Sequence, residues 1–209
     1  MINLEEKAHQ LAEYIMGLPD FQILSQPDGN YHHMGATLTD AVLQAGISYE
    51  RTVKPRVQNL LKNYPEAKTT SGFLALLEEI PPQKLLKFKG HKPELIKQLA
   101  LFFRGEGVET QDDLAHWFIK DQENKKRLMK FPYVKEKTAD YLAILVGIPD
   151  VAVDRHLRTF LQQAGIDLDD YDSIKRVVEI TAALLNLDKS VLDHNIWKYV
   201  SSQKRKEKS

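Results

Sequence analysis

The sequence predicts an all-α protein. Nearly every segment of the 209 residues sets its apolar side chains at helical spacing. No run alternates apolar and polar residues as a half-buried strand would. Proline and glycine punctuate the chain at short intervals, which divides it into many short helices.

Leu4 to Met16 carries Ala8, Leu11, Ala12 and Ile15 on one face and reads as a first helix. From Leu18 to Gly35, Pro19, Pro27, Asp28-Gly29 and Gly35 break the pattern, so a loop is expected. It contains Tyr31, His32 and His33. The adjacent histidines share no helix face and have no partner at metal-ligand spacing. A second helix runs from Thr37 to Gly46. Ser48 is a candidate N-cap for a third, which passes through Pro55 to about Asn63. Short helices follow from Thr70-Ser71, with Phe73, Leu74, Leu76 and Leu77 inside, and from Lys84 to Phe88. Pro93 to Phe103 carries its proline in the first turn, where a missing N–H does no harm. Gln111 to Ile119 and the basic Lys125 to Lys130 come next; Ser173 to Leu185 and Val191 to Val200 close the chain. Trp117 and Trp197, at helical spacing with leucines, are expected in the core. Residues 204–209 read as a basic disordered tail.

At 43% apolar and 28% charged residues, the composition is that of a soluble globular protein long enough to fold as one large or two small domains. No apolar run is long enough to span a bilayer, so no membrane contact is expected. The polar, acidic N-terminus is unlike a signal peptide, which favours a cytoplasmic location. The absence of cysteine excludes disulfides, thiolate nucleophiles, zinc–thiolate sites and iron–sulfur clusters, and neither a metal nor a cofactor is expected. The 29 basic residues balance 29 acidic ones, which counts against a strong nucleic-acid binder. The charge is uneven, however. Lysines 120, 125, 126, 130, 135 and 137 with Arg127 gather against only Asp121, Glu123 and Glu136, a pattern that an ordinary solvated face would also produce.

One stretch, Phe131 to Phe160, carries the chemistry. Phe131-Pro132-Tyr133-Val134-Lys135 is a tight turn into a helix that begins near Glu136, buries Ala139, Leu142, Ala143 and Val146, and ends at Gly147. Asp154 is a good N-cap for the next helix, Arg155 to Ala164. Lys137 and Asp154 thus stand at successive helix mouths. The first helix climbs about 15 Å, and the six residues from Ile148 to Val153 can reach back about 20 Å. The spacing permits the two side chains to face one cleft without requiring it. An amine and a carboxylate so placed suit imine chemistry. The neutral amine attacks an electrophilic carbon, and the acid moves a proton or steadies a cation. The bland alternatives are a solvated lysine and a capping aspartate.

Those residues resemble the helix-hairpin-helix DNA glycosylases of the endonuclease III superfamily. That family's turn is leucine-proline-glycine-hydrophobic-glycine, one residue, then lysine-threonine-alanine or lysine-valine-alanine-aspartate, with valine-aspartate-x-histidine further on. This sequence keeps Pro132, Val134, Lys137, Thr138, Ala139 and Asp140, then Val153, Asp154, His156 and Arg158. The likeness extends more weakly to Ala41–Gly46, Lys62–Glu79 and Leu192–Tyr199. The resemblance implies a two-lobed fold. One lobe, 31–147, would carry the hairpin and Lys137; the other, 1–30 with 148–203, would carry Asp154. It implies a branch without the iron–sulfur cluster, as in the 8-oxoguanine glycosylases. It also implies a monomer whose partner is double-stranded DNA with a damaged base flipped from the stack.

Under the resemblance, Lys137 is the amine that attacks C1′ in a bifunctional glycosylase and AP lyase, and Asp154 is the catalytic carboxylate. Pro132, Tyr133, Val134, Lys135 and Thr138 would contact DNA. The two hairpin glycines are replaced by Tyr133 and Lys135, and Ile47 falls near the place of a glutamine that some members insert into DNA. Two other readings stay open. One is a monofunctional glycosylase for alkylated or mismatched bases, with Lys137 on a phosphate. The other is a non-catalytic DNA-binding or interaction module on the same fold.

Overall fold

A computed structural model describes residues 3–23 and 29–206, the side chains of 204–206 excepted. Every regular element among the described residues is helical. The α-helices are α1 (Leu4–Met16), α2 (Met34–Leu43), α3 (Lys54–Asn63), α4 (Thr70–Glu79), α5 (Pro82–Leu85), α6 (Lys92–Gly105), α7 (Gln111–Lys120), α8 (Glu123–Leu128), α9 (Glu136–Leu145), α10 (Arg155–Gln163), α11 (Tyr171–Leu184) and α12 (Lys189–Lys206). The chain divides into two compact units, Asp28–Ile148 and Met1–Pro27 with Pro149–Ser209. Among the described residues, no helix is long and apolar enough to cross a membrane.

The unit of residues 28–148 is built around α2, which is buried along its whole length and packs against α3, α4, α6 and α9. Its residues are apolar almost all round, the pattern of a central helix. Gly35 lies inside α2 rather than breaking the chain before it. A Cβ there would sit 2.8 Å from Cδ2 of Phe73, so glycine is what lets α4 press this closely. The helix starts three residues earlier than its apolar spacing alone indicates because His33 caps it. His33 Nδ1 accepts from the Ala36 N–H at 3.1 Å, and Nε2, which then carries the proton, donates to the Tyr64 carbonyl at 3.0 Å. Burial lowers the His33 pKa, which agrees with a neutral ring. Asn30 and Gln111 fix the preceding loop by donating to the Leu145 carbonyl at 2.7 and 2.6 Å.

Ser48 makes no side-chain cap. One π-helical turn, Tyr49–Val53, leads into α3 instead. Phe73, Phe103, Leu38, Ile96 and Leu99 fill the centre of the core, all at most 1% exposed. Trp117 joins this core, whereas Trp197 in the other unit is only half-buried.

In the second unit α1 packs on α11, and α10 and α11 pack on α12. Phe160 is its centre, with Tyr14, Phe21 and Tyr199 rings at 5.4, 5.7 and 5.8 Å. Full burial of such a ring contributes about 2–3 kcal/mol. The final helix continues to Lys206, so the stretch expected as a disordered tail begins as helix. Its glutamine, lysine and arginine residues propagate a helix readily, and no breaker stops them. The last three tail residues, 207–209, and the loop positions Pro27 and Asp28 lie outside the described residues.

Candidate functional site

The hairpin before α9 forms its turn with tyrosine and lysine where the resembled pattern has glycine. Tyr133 takes a left-handed backbone, φ +68°, and Val134 N–H donates to the Phe131 carbonyl at 3.2 Å. Glycine adopts that conformation without penalty; a tyrosine does so against steric resistance from its Cβ. Lys135, at φ −121° and ψ 178°, is ordinary extended backbone, so the second replacement is free of strain. Its carbonyl accepts from Thr138 and Ala139 at 2.9 and 3.1 Å and opens the helix. Of the expected DNA contacts, Pro132, Tyr133 and Lys135 are exposed, whereas Val134 and Thr138 are buried and hold the turn to the core. Phe131 anchors the other end of the turn against Phe102, ring centres 5.3 Å apart. A salt bridge of 2.7 Å from Lys125 to the buried Asp140 fastens α8 to α9.

Lys137 lies on the first turn of α9 and is half-buried. Its ammonium donates to Gln44 Oε1 at 3.3 Å, at the end of α2. Gln44 Nε2 is buried with no hydrogen-bond partner among the described residues. Next to this pair is Lys92, whose ammonium donates to the Leu43 and Ala45 carbonyls at 3.0 and 2.6 Å. The Leu43 carbonyl closes α2 and that of Ala45 lies just past it, and a cation suits such a helix end. The Lys92 pKa is lowered by burial and by the charge of Lys137. The two lysines are therefore close enough to repel.

One turn along both helices, α2 and α9 meet again. Asp40, fully buried, accepts from Tyr31 at 2.6 Å and from Tyr141 at 3.4 Å. The Tyr31 and Tyr49 hydroxyls lie 3.4 Å apart. Burial, then the adjacent carboxylate, pushes the Tyr31 pKa far above its ordinary value, so the phenol keeps its proton and donates it. Sequence reading missed Asp40, Gln44 and Lys92. A carboxylate on an otherwise apolar helix was the available signal for Asp40; Gln44 and Lys92 gave none.

Asp154 belongs to the other unit. The extended residues before it are pinned one by one. Val151 N–H donates to Asp150 at 2.8 Å, Ala152 N–H to Asp193 at 3.0 Å and Val153 N–H to the Tyr171 hydroxyl at 3.2 Å. Asp150 is itself bridged to Lys175 at 2.5 Å. Asp154 then caps α10. One carboxylate oxygen accepts from the N–H groups of His156 and Leu157 at 2.7 and 3.0 Å, and the other lies 2.8 Å from His156 Nδ1. The side chain keeps 14% of its surface accessible. The capping role expected of this aspartate is thus filled, at a helix end whose dipole favours negative charge.

Residues 87–201, which include both Lys137 and Asp154, match the family described as Domain of unknown function (DUF8548). No curated protein matches the sequence. Two solved structures are similar in fold. One is a trapped endonuclease III–DNA covalent intermediate, the estranged-adenine complex, with a TM-score of 0.52. The other is a non-covalent endonuclease III–DNA complex, with a TM-score of 0.51. Each is 21% identical in sequence, and each match covers 94% of this chain and 85% of the other. The fold is therefore the all-helical one of endonuclease III.

Proposed function

The chain belongs to the family described as Domain of unknown function (DUF8548), and from its fold and the seating of its amine we propose that it is a DNA base-excision glycosylase with AP-lyase chemistry. The observation that carries this reading is the surroundings of Lys137. It is not a solvated surface lysine. It is half-buried, oriented by Gln44, and repelled by a second ammonium. A neighbouring cation and partial burial are what make an amine a nucleophile near neutral pH. The likeness to an endonuclease III–DNA covalent intermediate supports the same class of reaction.

In the proposed reaction the Lys137 amine forms a bond to C1′ of a damaged nucleotide flipped from duplex DNA. The C1′–N bond breaks, and the base departs with its electron pair and takes up a proton. The ring opens to a protonated imine. Loss of a proton from C2′ then expels the 3′ phosphate, and hydrolysis of the imine frees the lysine. Asp154 carries the general-acid/base role and offsets positive charge at the sugar. Pro132, Tyr133 and Lys135 hold the strand, while Val134 and Thr138, whose N–H groups already donate to the Phe131 and Lys135 carbonyls, keep the turn in shape.

Borohydride reduction during incubation with duplexes, each bearing one lesion, tests this. A covalent adduct is expected on at least one lesion with the wild-type chain and on none with Lys137→Gln. Equal base release and nicking by Lys137→Gln would sink the lyase claim. A second reading rests on the place of Lys137 at a helix N-terminus, where phosphates bind. In that monofunctional glycosylase, acting on alkylated or mismatched bases, Lys137→Gln weakens binding but leaves the rate of base release at saturating DNA unchanged.

A further inference from the structure

The turn alone does not explain why a tyrosine stands at the left-handed position of the hairpin. Glycine at position 133 would hold the same turn without steric resistance, yet the chain places a tyrosine there that is 67% exposed. The ring does not pack into the core. It stacks on the exposed His91, centroids 3.9 Å apart and planes 27° from parallel, and so ties the hairpin to the loop before α6. Both segments are basic. Lys87, Lys89, Lys130 and Lys135 are exposed within them, against Glu94 and Glu136. An exposed pair of stacked rings framed by cations fits an unstacked nucleotide. The ring face takes a base, and the lysines take the flanking phosphates.

We propose that the Tyr133–His91 pair is a stacking platform for an unpaired nucleotide of the DNA strand held at the hairpin. The proposal rests on the DNA reading above and adds to it which kind of DNA this face selects. Stacking is indifferent to base identity, so the platform distinguishes single-stranded, gapped or opened DNA from intact duplex rather than one sequence from another. Here the hairpin gives up the close backbone approach that glycine allows and gains an aromatic contact in exchange.

The test uses the full chain and two fluorescein-labelled probes of one sequence, a single strand and its intact duplex, read by anisotropy. Tyr133→Gly is expected to melt no lower than wild type, since strain is relieved, and to bind the single strand about tenfold more weakly. The loss on intact duplex is smaller. The slope of affinity against salt is unchanged because the lysines remain. Tyr133→Phe keeps the ring face and binds within about twofold of wild type. His91→Ala falls between. If wild type binds DNA and Tyr133→Gly binds the single strand equally well, the platform is refuted and the DNA reading stands. If affinity falls only together with a lower melting temperature, the pair is structural and the proposal fails. If wild type binds neither probe, both the platform and the DNA reading fall.

Discussion

The surroundings of Asp154 and of Lys137 are opposites. Asp154 is held by donors from the two and three residues that follow it, at 2.7, 2.8 and 3.0 Å. These donors are local, and their short bonds hold its carboxylate in place at the start of α10. Lys137 is placed by its helix, but the groups that act on its ammonium come from elsewhere. Gln44 stands at the end of α2 and Lys92 at the start of α6, and the bond to Gln44 is a long 3.3 Å. The acid caps its own sequence neighbourhood. The amine is contacted by tertiary neighbours, and contacts of that kind are easily altered by substitution.

Separating the capping of α10 by Asp154 from the catalytic role proposed for it gives the largest expected effect. Asparagine caps a helix about as well as aspartate, so Asp154→Asn should keep α10 and melt close to wild type. Base release in single turnover should nevertheless fall by about 10²- to 10⁴-fold, the usual worth of a positioned acid or base. Asp154→Ala should lose the same activity and about 1 kcal/mol of stability besides. Undiminished base release in Asp154→Asn would leave this residue a cap and nothing more.

A smaller effect probes the tuning of the amine. Lys92→Gln removes the cation beside Lys137 while keeping a donor for the α2 carbonyls. The rate of borohydride-trappable adduct formation at neutral pH should fall, by about tenfold or less. Its midpoint on a pH–rate profile should move to higher pH, because the repulsion that favours the neutral amine is gone. Loss of one charge-assisted contact to the helix end should cost about 1 kcal/mol in melting experiments. An unmoved midpoint would mean that Lys92 acts only as a helix-end cation.

The same contrast decides what could be read from residue order. The helical class and the cap at Asp154 follow from spacing and from an aspartate that opens an apolar period, both local signals. The turn at 131–135 was readable as a turn, and the missing glycines marked it as altered. The backbone price at Tyr133, set against none at Lys135, needed the dihedral angles. Gln44, Lys92, Asp40 and Tyr31 could not be assembled around α9 from sequence, since each depends on which helix packs against which. Gly35 reads as a breaker until Phe73 is placed 2.8 Å from where its Cβ would be. Tertiary packing supplied the reason for the glycine, as it supplied the neighbours of the lysine.

The smallest effect compares the two helix caps themselves. Where α10 begins with a carboxylate, α2 begins with the neutral imidazole of His33, and the end of α2 is what seats Gln44 and Lys92. Burial lowers the His33 pKa in the folded chain, only partly countered by its bond to Tyr64 and by the charge of Glu66. Between the unfolded value of about 6.5 and the lower folded value, the unfolded chain binds a proton that the folded chain refuses. The slope of stability with pH is then positive, so this contribution is complete above about pH 6.5 and is lost as pH falls below it. Protonation also removes the lone pair that accepts from Ala36, so the cap opens as the charge arrives. His33→Asn keeps a capping acceptor that does not titrate. Subtracting its melting temperatures from those of wild type across pH 8 to 5 cancels the carboxylates common to both. The difference should be flat at the upper end and fall below neutrality. Parallel curves over the whole range would mean that α2, like α10, is capped without regard to pH.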